Sequence, residues 1–330
     1  MNEHPYERLV PDLVIAAVES AGYLCDARLL ALNSYENRVY QVGIEDAEPL
    51  IAKFYRPGRW SDAQILEEHA FTRELVEAEI SVVAPLADGD GETLHRYEDF
   101  RFALFPRRGG YPPELSDPDN LLVLGRTLGR IHAVGAAGSF ETRERITVEG
   151  KFIESREFLL EAGFIPASLE EAYTSLTGDL LAAVQSIYGE VRPADEQRVH
   201  GDCHVGNILW RDDTAHFVDL DDCCTAPAVQ DLWMFISGER HDRQWQIAEL
   251  IDGYTEFFDF EPRQLRWVEA LRTLRLVHYS AWLARRWEDP AFPRSFVWFN
   301  TERYWADHIL ELREQLAALQ EEPLALPGYR

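Results

Sequence analysis

The sequence predicts an α+β fold of two lobes: a small antiparallel sheet with one main helix, then a larger, mainly helical lobe. Three observations predict it. Residues 25–106 read as strands interrupted by one helical run and joined by short turns, the pattern of a sheet carrying a helix. Residues 107–119, RRGGYPPELSDPD, are loop chemistry, with two Gly, three Pro and an Asp placed to cap the next helix. Most of the chain beyond residue 119 has helical apolar periodicity. The expected division is therefore a lobe at 1–106, a hinge and linker at 107–119, and a lobe at 120–330, and a length of 330 residues fits two such units.

Along the chain, PDLVIAAVESAG (11–22) reads as a short amphipathic helix stopped by Gly22. RLLAL (28–32), RVYQVGI (38–44) and PLIAKFYR (49–56) are strand-like, the last two joined as a hairpin through EDAE. DAQILEEHAFTRELVEA (62–78) is helical, and SVVAPLA (81–87), ETLHRYEDF (92–100) and RFALFP (101–106) return to strand character. In the larger lobe, helices are expected at 120–135, 152–163, 168–189, 244–258, 263–287 and 301–320, around a non-helical island at 198–233.

Composition removes several classes. The formal net charge is −26 and it is spread along the chain: residues 1–110 hold 11 basic against 20 acidic groups, and residues 111–330 hold 21 against 38. Nucleic-acid binding needs a basic footprint, and an anionic membrane surface would repel this chain. No apolar run is long enough to span a membrane, and the MNEHPYERLV start lacks the apolar centre of a signal peptide. Cys25, Cys203, Cys223 and Cys224 form no CxxC pair and no zinc spacing, which points to a reducing cytoplasm. Only two of the 32 basic residues are lysines, Lys53 and Lys151.

The island holds the densest chemistry. His200-Gly201-Asp202-Cys203-His204-Val205-Gly206-Asn207 precedes the strand ILW, a polar turn RDD follows, and a second strand HFVDLDD carries Asp219, Asp221 and Asp222. Two short strands joined by a tight turn bring their polar ends together, placing Asp202, Asn207 and Asp219 around one point. Carboxylate and amide oxygens suit a hard cation such as Mg²⁺. The D-x-x-x-x-N spacing of Asp202 and Asn207 matches a phosphotransfer catalytic loop, in which the Asp accepts the proton of the attacking hydroxyl. A competing reading takes His200-x-Asp202-x-His204 as a hydrolase metal triad on one face of an extended segment, but it leaves Asn207 and VDLDD without work.

ATP chemistry needs a cation from the first lobe, and Lys53 inside the strand LIAKFY is the one candidate; a compact ammonium serves phosphate oxygens as a point charge. Lys151 reads as a surface residue. Either Glu67 or Glu68 on the following helix could face Lys53, with Glu68 preferred. There is no G-x-G-x-x-G, so the loop LNSYENRVY would supply phosphate contacts instead, through Ser34 and Asn37. FALFP followed by RRGG reads as an inter-lobe hinge whose backbone, at residues 104–107, would meet adenine.

These residues resemble the aminoglycoside phosphotransferase and choline kinase-like superfamily of the protein-kinase fold, whose signature is H-G-D-x-H-x-x-N followed by a V-D-x-D strand. Longer stretches, LNSYENRVYQ, KFYRP-RW, QILEEH, HGDCH-GNILWR, PAVQDLWM and AWLARRW-DPAFP, resemble a subfamily of bacterial stress-response kinases. The resemblance implies a bilobal kinase-like fold and a cytoplasmic, monomeric, ATP- and Mg²⁺-dependent serine/threonine protein kinase. It implies Asp202 as proton acceptor, Asn207 and Asp219 as Mg²⁺ ligands, Ser34 as a nucleotide contact and Lys53 as the phosphate lysine. It also implies a structural role for Asp231, bonding the backbone of the catalytic loop; Asp221 and Asp222 are left open between metal shell and turn cap. Gly201 replaces the Arg of ordinary protein kinases, no A-P-E occurs, and only nine residues separate Asp221 from Asp231.

Two other classes remain in view. Seven of the nine tryptophans fall in the last hundred residues, and with acidic groups they would cage an ammonium, giving a small-molecule kinase for an amino alcohol or amino sugar. A non-catalytic pseudokinase predicts loss of Lys53, Asp202, Asn207 or Asp219, and all four are present. Arg272, Arg275, Arg285 and Arg286 recur at helical spacing; they could bind an anionic substrate or pair with surface carboxylates, and the pairing is preferred. Cys203 reads as a small buried thiol.

Overall fold

The structure, a computed structural model, describes residues 6–326, so the first five residues of the N-terminal segment and the end of the Pro-rich tail lie outside it. The elements run α1 (Pro11–Ser20), β1 (Cys25–Ala31), β2 (Arg38–Ile44), β3 (Leu50–Phe54), α2 (Asp62–Glu77), β4 (His95–Tyr97), β5 (Phe100–Pro106), α3 (Pro118–Ala136) and α4 (Glu154–Glu161). They continue with α5 (Ala167–Tyr188), β6 (Glu196–Val199), β7 (Ile208–Arg211), β8 (Thr214–Phe217), β9 (Cys224–Pro227) and α6 (Val229–Leu232). The last four helices are α7 (Arg240–Tyr254), α8 (Val268–Arg285), α9 (Ala291–Ser295) and α10 (Glu302–Ala318). The predicted α+β architecture of two lobes is the observed one.

The first five strands form one antiparallel sheet in the order β1-β2-β3-β5-β4. Val42, Ala52, Phe54, Phe102 and Leu104 pack with Val14, Ala17 and Val18 of α1 into a small apolar core. Helix α2 starts where Ser61 and Gln64 form a reciprocal capping box. Its Phe71 and Leu75 are buried in the larger core, so the helix binds the sheet to the helical lobe. Helix α3 begins as its sequence directs, with Asp117 capping and Pro118 in the first turn.

The largest helix contact depends on small residues. A Cβ on Gly125 would lie 2.0 Å from the Leu250 carbonyl oxygen, and one on Gly253 would lie 2.2 Å from that of Leu122. Glycine therefore sets how closely α3 approaches α7.

Three segments depart from expectation. Residues 81–87 form no strand; Val82 makes one parallel bridge with Phe217, while Leu86 N–H bonds Leu104 O at 2.7 Å, so the segment ties the sheet to the β7–β8 hairpin. The strand HFVDLDD stops at Phe217: Asp219 takes a left-handed backbone, φ 57° and ψ 62°, and Leu220–Asp222 form a tight turn. Helix 152–163 is preceded by a π-helical turn at Glu149–Ile153. β6 and β9, absent from the sequence reading, pair across the island and hold its ends together.

Gly125→Ala is expected to cost about 1–3 kcal/mol by forcing α3 off α7, the usual penalty for an overpacked core. Thermal unfolding of the variant measures it, and an unchanged midpoint would show that the helices can part freely.

Candidate active site

The hairpin does what its sequence requires. β7 and β8 pair from Ile208↔Phe217 to Arg211↔Thr214, and Val218 N–H bonds Asn207 O at 3.0 Å. Asn207 sits just before one strand and Asp219 just after the other. Asn207 Nδ2 donates to the Asp202 carbonyl at 2.9 Å, which leaves its amide oxygen for another partner. The loop bearing Asp202 is fixed from below by Asp231, which accepts from His200 N–H at 2.7 Å and Gly201 N–H at 2.9 Å. His132 Nε2 holds the same carboxylate at 3.0 Å. Gly201 has φ 86°, and a Cβ there would meet Asp222 O at 2.1 Å, so no side chain fits where ordinary protein kinases carry Arg.

Lys53 comes from the buried strand β3. Its Nζ lies 2.9 Å from Asp219 Oδ1, 3.1 Å from Asp221 Oδ1 and 3.5 Å from Glu68 Oε1. Burial alone would discharge this ammonium, but the three carboxylates outweigh it and hold the pKa well above the ordinary lysine value. Glu67 turns the other way and accepts from the backbone N–H groups of Glu141, Thr142 and Arg143. Burial raises Glu68 to about 7, against the pull of Lys53.

Sequence reasoning left Asp221 and Asp222 open and assigned no role to Arg59. Asp221 is buried and meets Lys53, Arg59 and the Asn37 amide; Asp222 Oδ1 accepts from Arg59 Nη2 at 2.5 Å. Arg143 grips the same turn, donating to Cys223 O at 2.9 Å and Asp221 O at 2.5 Å. The signal for Arg59 was the stretch YRPGRW after Lys53, which has no obvious phosphotransfer role in sequence.

The loop after β1 carries Ser34 to Asn37. Ser34 Oγ donates to Asn37 O at 3.1 Å and lines the cleft. The Asn37 side chain turns inward, donating to Asp221 and accepting from Arg56 N–H at 3.2 Å, so it locks the loop and leaves only backbone to offer a phosphate. Glu36 carries the loop to the other lobe: it accepts from Trp282 Nε1 at 2.6 Å and Arg286 Nη2 at 2.9 Å. Asp289 receives Arg56 at 2.5 Å and Arg38 at 3.0 Å.

Three of the four arginines of α8 and its end pair with carboxylates as expected, but two of those carboxylates line the cavity and not the outer surface. Arg272 does pair with Glu269 nearby, at 3.2 Å. Arg275 Nη1 instead reaches Asp202 Oδ1 at 2.6 Å, Arg286 reaches Glu36, and Arg285 bonds the Glu154 carbonyl. His204 lies 3.5 Å from the other Asp202 oxygen. Burial would raise the Asp202 carboxyl, but His204 and Arg275 prevail and hold it well below the usual carboxylate range. Lys151 is a second correction: it lines the cavity rather than the outer surface. The hydrolase triad does not form, because His200 is buried and bonds Val218 O at 3.0 Å. Cys203, Cys223 and Cys224 are buried and Cys25 is partly buried; all four are free.

These groups border one cavity of about 820 Å³, which reaches from Val39, Ile51, Val83, Phe105 and Leu209 at one end to Arg275, Tyr279 and Trp282 at the other. Among the described residues, no helix is long and apolar enough to cross a membrane.

A family model described as the phosphotransferase enzyme family matches residues 28–268. The chain belongs to the phosphotransferase enzyme family. It is 44% identical to stress response kinase A of Escherichia coli K12 over 98% of both chains. It is 42% identical to the serine/threonine protein kinase RdoA of Salmonella typhimurium over 99% of both. Among solved structures, amicoumacin kinase hAmiN in complex with AMP-PNP, Ca²⁺ and Ami superposes with a TM-score of 0.71 at 17% identity, covering 94% of each chain. A microcompartment-associated aminopropanol kinase gives 0.69 at 18% identity, over 94% of this chain and 97% of the other. The fold is that of these kinases and the chain is a kinase, as its signature residues implied.

The electrostatics of the site make two outcomes measurable. Between the ordinary Glu value of 4.5 and about 7, folded Glu68 keeps a proton that the unfolded chain has released, so its contribution to stability falls as pH rises through that window. Relative to wild type, Glu68→Gln should therefore gain stability between about pH 5 and about pH 8, read as denaturant midpoints; parallel profiles would mean that Glu68 stays ionised. Asp289→Ala should cost about 3–5 kcal/mol, because it removes the buried carboxylate that Arg38 and Arg56 share, leaving Arg56 with the Glu36 carboxylate alone. It should also speed hydrogen exchange in residues 33–37, and unchanged exchange there would detach the loop from this pair.

Proposed function

We propose that this kinase moves the ATP γ-phosphate to a serine or threonine hydroxyl of a protein, with Asp202 as general base. The carrying observation is the convergence of Lys53, Asp219 and Asn207 beside the Asp202 loop. In the transfer, the bond between the γ-phosphorus and the ADP oxygen breaks, a bond to the acceptor oxygen forms, and the hydroxyl proton passes to Asp202. Lys53 meets the nucleotide phosphates, with Glu68 steadying its ammonium. Ser34 and the backbone N–H groups up to Asn37 cover the phosphates. Val39, Ile51, Val83, Phe105 and Leu209 offer apolar walls to adenine, next to the backbone of 104–107.

The donor set suits Mg²⁺. Asn207 keeps a free amide oxygen and the Asp219 side chain is half exposed to the cleft, giving the hard oxygen donors that ion takes. When bound, the ion would neutralise charge on the nucleotide phosphates as the γ-phosphoryl group leaves ADP.

The protein acceptor and a role in bacterial stress response are supported by what the relatives are named. The free thiols support a reducing cytoplasm. A single chain supplies both walls of the cavity, which supports action as a monomer. A second reading, a kinase of a small amino alcohol or amino sugar, is favoured by the nine-residue interval after Asp221, which leaves little platform for a peptide. The expected tryptophan cage weighs against it: of the seven C-terminal tryptophans only Trp282 borders the cavity.

Labelling with γ-³²P-ATP should tag protein rather than amino alcohols or aminoglycosides, and labelling of small molecules alone would overturn the protein-kinase reading. Asp202→Ala should lower transfer by about 10²–10⁴-fold, the usual contribution of a general base, while ATP binding persists. Phosphosites lost in the Asp202→Ala strain by mass spectrometry would identify the acceptor.

A further inference from the structure

In a protein of net charge −26, the cavity lining around Asp202 includes two cations, Lys151 and Arg275, beside Glu144 and Asp222. Lys151, one of only two lysines, stands there on the π-helical turn Glu149–Ile153, a geometry common at functional sites. It pairs loosely with the half-exposed Glu144, at 3.6 Å. Arg275 stands on α8 with a side chain 41% exposed. Between them lies His278, whose Nδ1 is 3.2 Å from Ser155 Oγ. Burial, then the charges of Lys151, Arg285, Arg275 and Arg59, keep this imidazole well below its ordinary pKa, as a crowd of cations requires.

Arg275 also occupies Asp202. Its Nη1 is 2.6 Å from Oδ1, so an acceptor hydroxyl that approaches this oxygen competes with the guanidinium for it. Opening of the pair leaves a guanidinium without its partner unless the acceptor supplies an anion in exchange. A cationic acceptor supplies none and is repelled by Lys151 and Arg275.

We propose that Lys151 and Arg275 form an anion subsite beside Asp202, which selects hydroxyls that carry a carboxylate or phosphate close by. The proposal rests on the phosphotransfer reading, in which the acceptor becomes a Ser or Thr flanked by acidic or phosphorylated residues. Diffuse surface charge would steer basic partners toward the molecule, but the subsite chooses among those that enter.

The test uses the full-length kinase and four peptides identical except for residues flanking one Ser: Asp/Glu, phosphoserine, Gln or Arg. The acidic and phosphorylated peptides should exceed the Gln peptide by about tenfold or more in kcat/KM, one charge-assisted contact's worth, mainly through KM. Their relative rates distinguish carboxylate from phosphate. Lys151→Glu should invert the order toward the Arg peptide, and Lys151→Arg should keep it. A wild-type preference for the Arg peptide, or an order untouched by Lys151→Glu, overturns the subsite and leaves the protein-kinase reading standing. Labelling only of small hydroxy acids or phosphorylated alcohols overturns that reading and keeps the subsite. Labelling only of amino alcohols, or of nothing, overturns both.

Discussion

Four carboxylates, Glu68, Asp219, Asp221 and Asp222, meet in the cleft of a strongly acidic protein, and only cations brought in from elsewhere make that meeting tolerable. Charges leaving water lose several kcal/mol of hydration each, which their mutual attraction returns only when geometry is good. Lys53 arrives from β3, Arg59 from the segment before α2, and Arg143 from the chain after α3. Assembly of the charge cluster and docking of the sheet onto the helical lobe are thus one event. The left-handed backbone of Asp219 is held by these contacts, and strain of this kind persists only where surroundings over-determine it.

A second set of pairs answers a different need. A cleft loop built without glycine gains rigidity from other sources, and here Glu36 is gripped by Trp282 and Arg286 while Arg38 and Arg56 share Asp289. These residues come from YENRVY, KFYRPGRW and AWLARRWEDPAFP, stretches in which, Asn37 and Lys53 aside, the sequence shows no chemical duty. Their duty is mechanical: they fasten the Ser34–Asn37 loop to the far lobe.

What was legible in the sequence was local or carried by spacing. β2 was legible residue for residue because its alternation and flanking turns agree, and the Asp202–Asn207 spacing together with a four-residue hairpin was enough to foresee the Asp219 encounter. Contacts between distant segments were not legible. Nothing in the neighbourhood of Lys151 announces a cavity, because its position depends on how the π turn packs against α8. Residues 81–87 look like a strand because they are apolar, yet their partners are one residue of β8 and one of β5, too few for a ladder. Arg275 followed helical periodicity toward an expected surface partner; the fold gave it Asp202 instead.

The interval after Asp221 limits how this enzyme can be controlled. Ordinary protein kinases use it for a segment that swings and is phosphorylated. Here its nine residues are consumed: β9 is laddered to β6, and α6 presents Asp231 to the backbone of His200 and Gly201. Displacing them would release the loop that carries Asp202, so a switch of that type would dismantle the site it was meant to regulate. Gly201 closes the alternative as well, since its contact with Asp222 O leaves no room for the Arg that a phosphorylated segment would engage. The freedom that remains lies in partly exposed pairs bordering the cavity, Arg275 with Asp202 foremost, which can part without disturbing the ladder of β6 and β9.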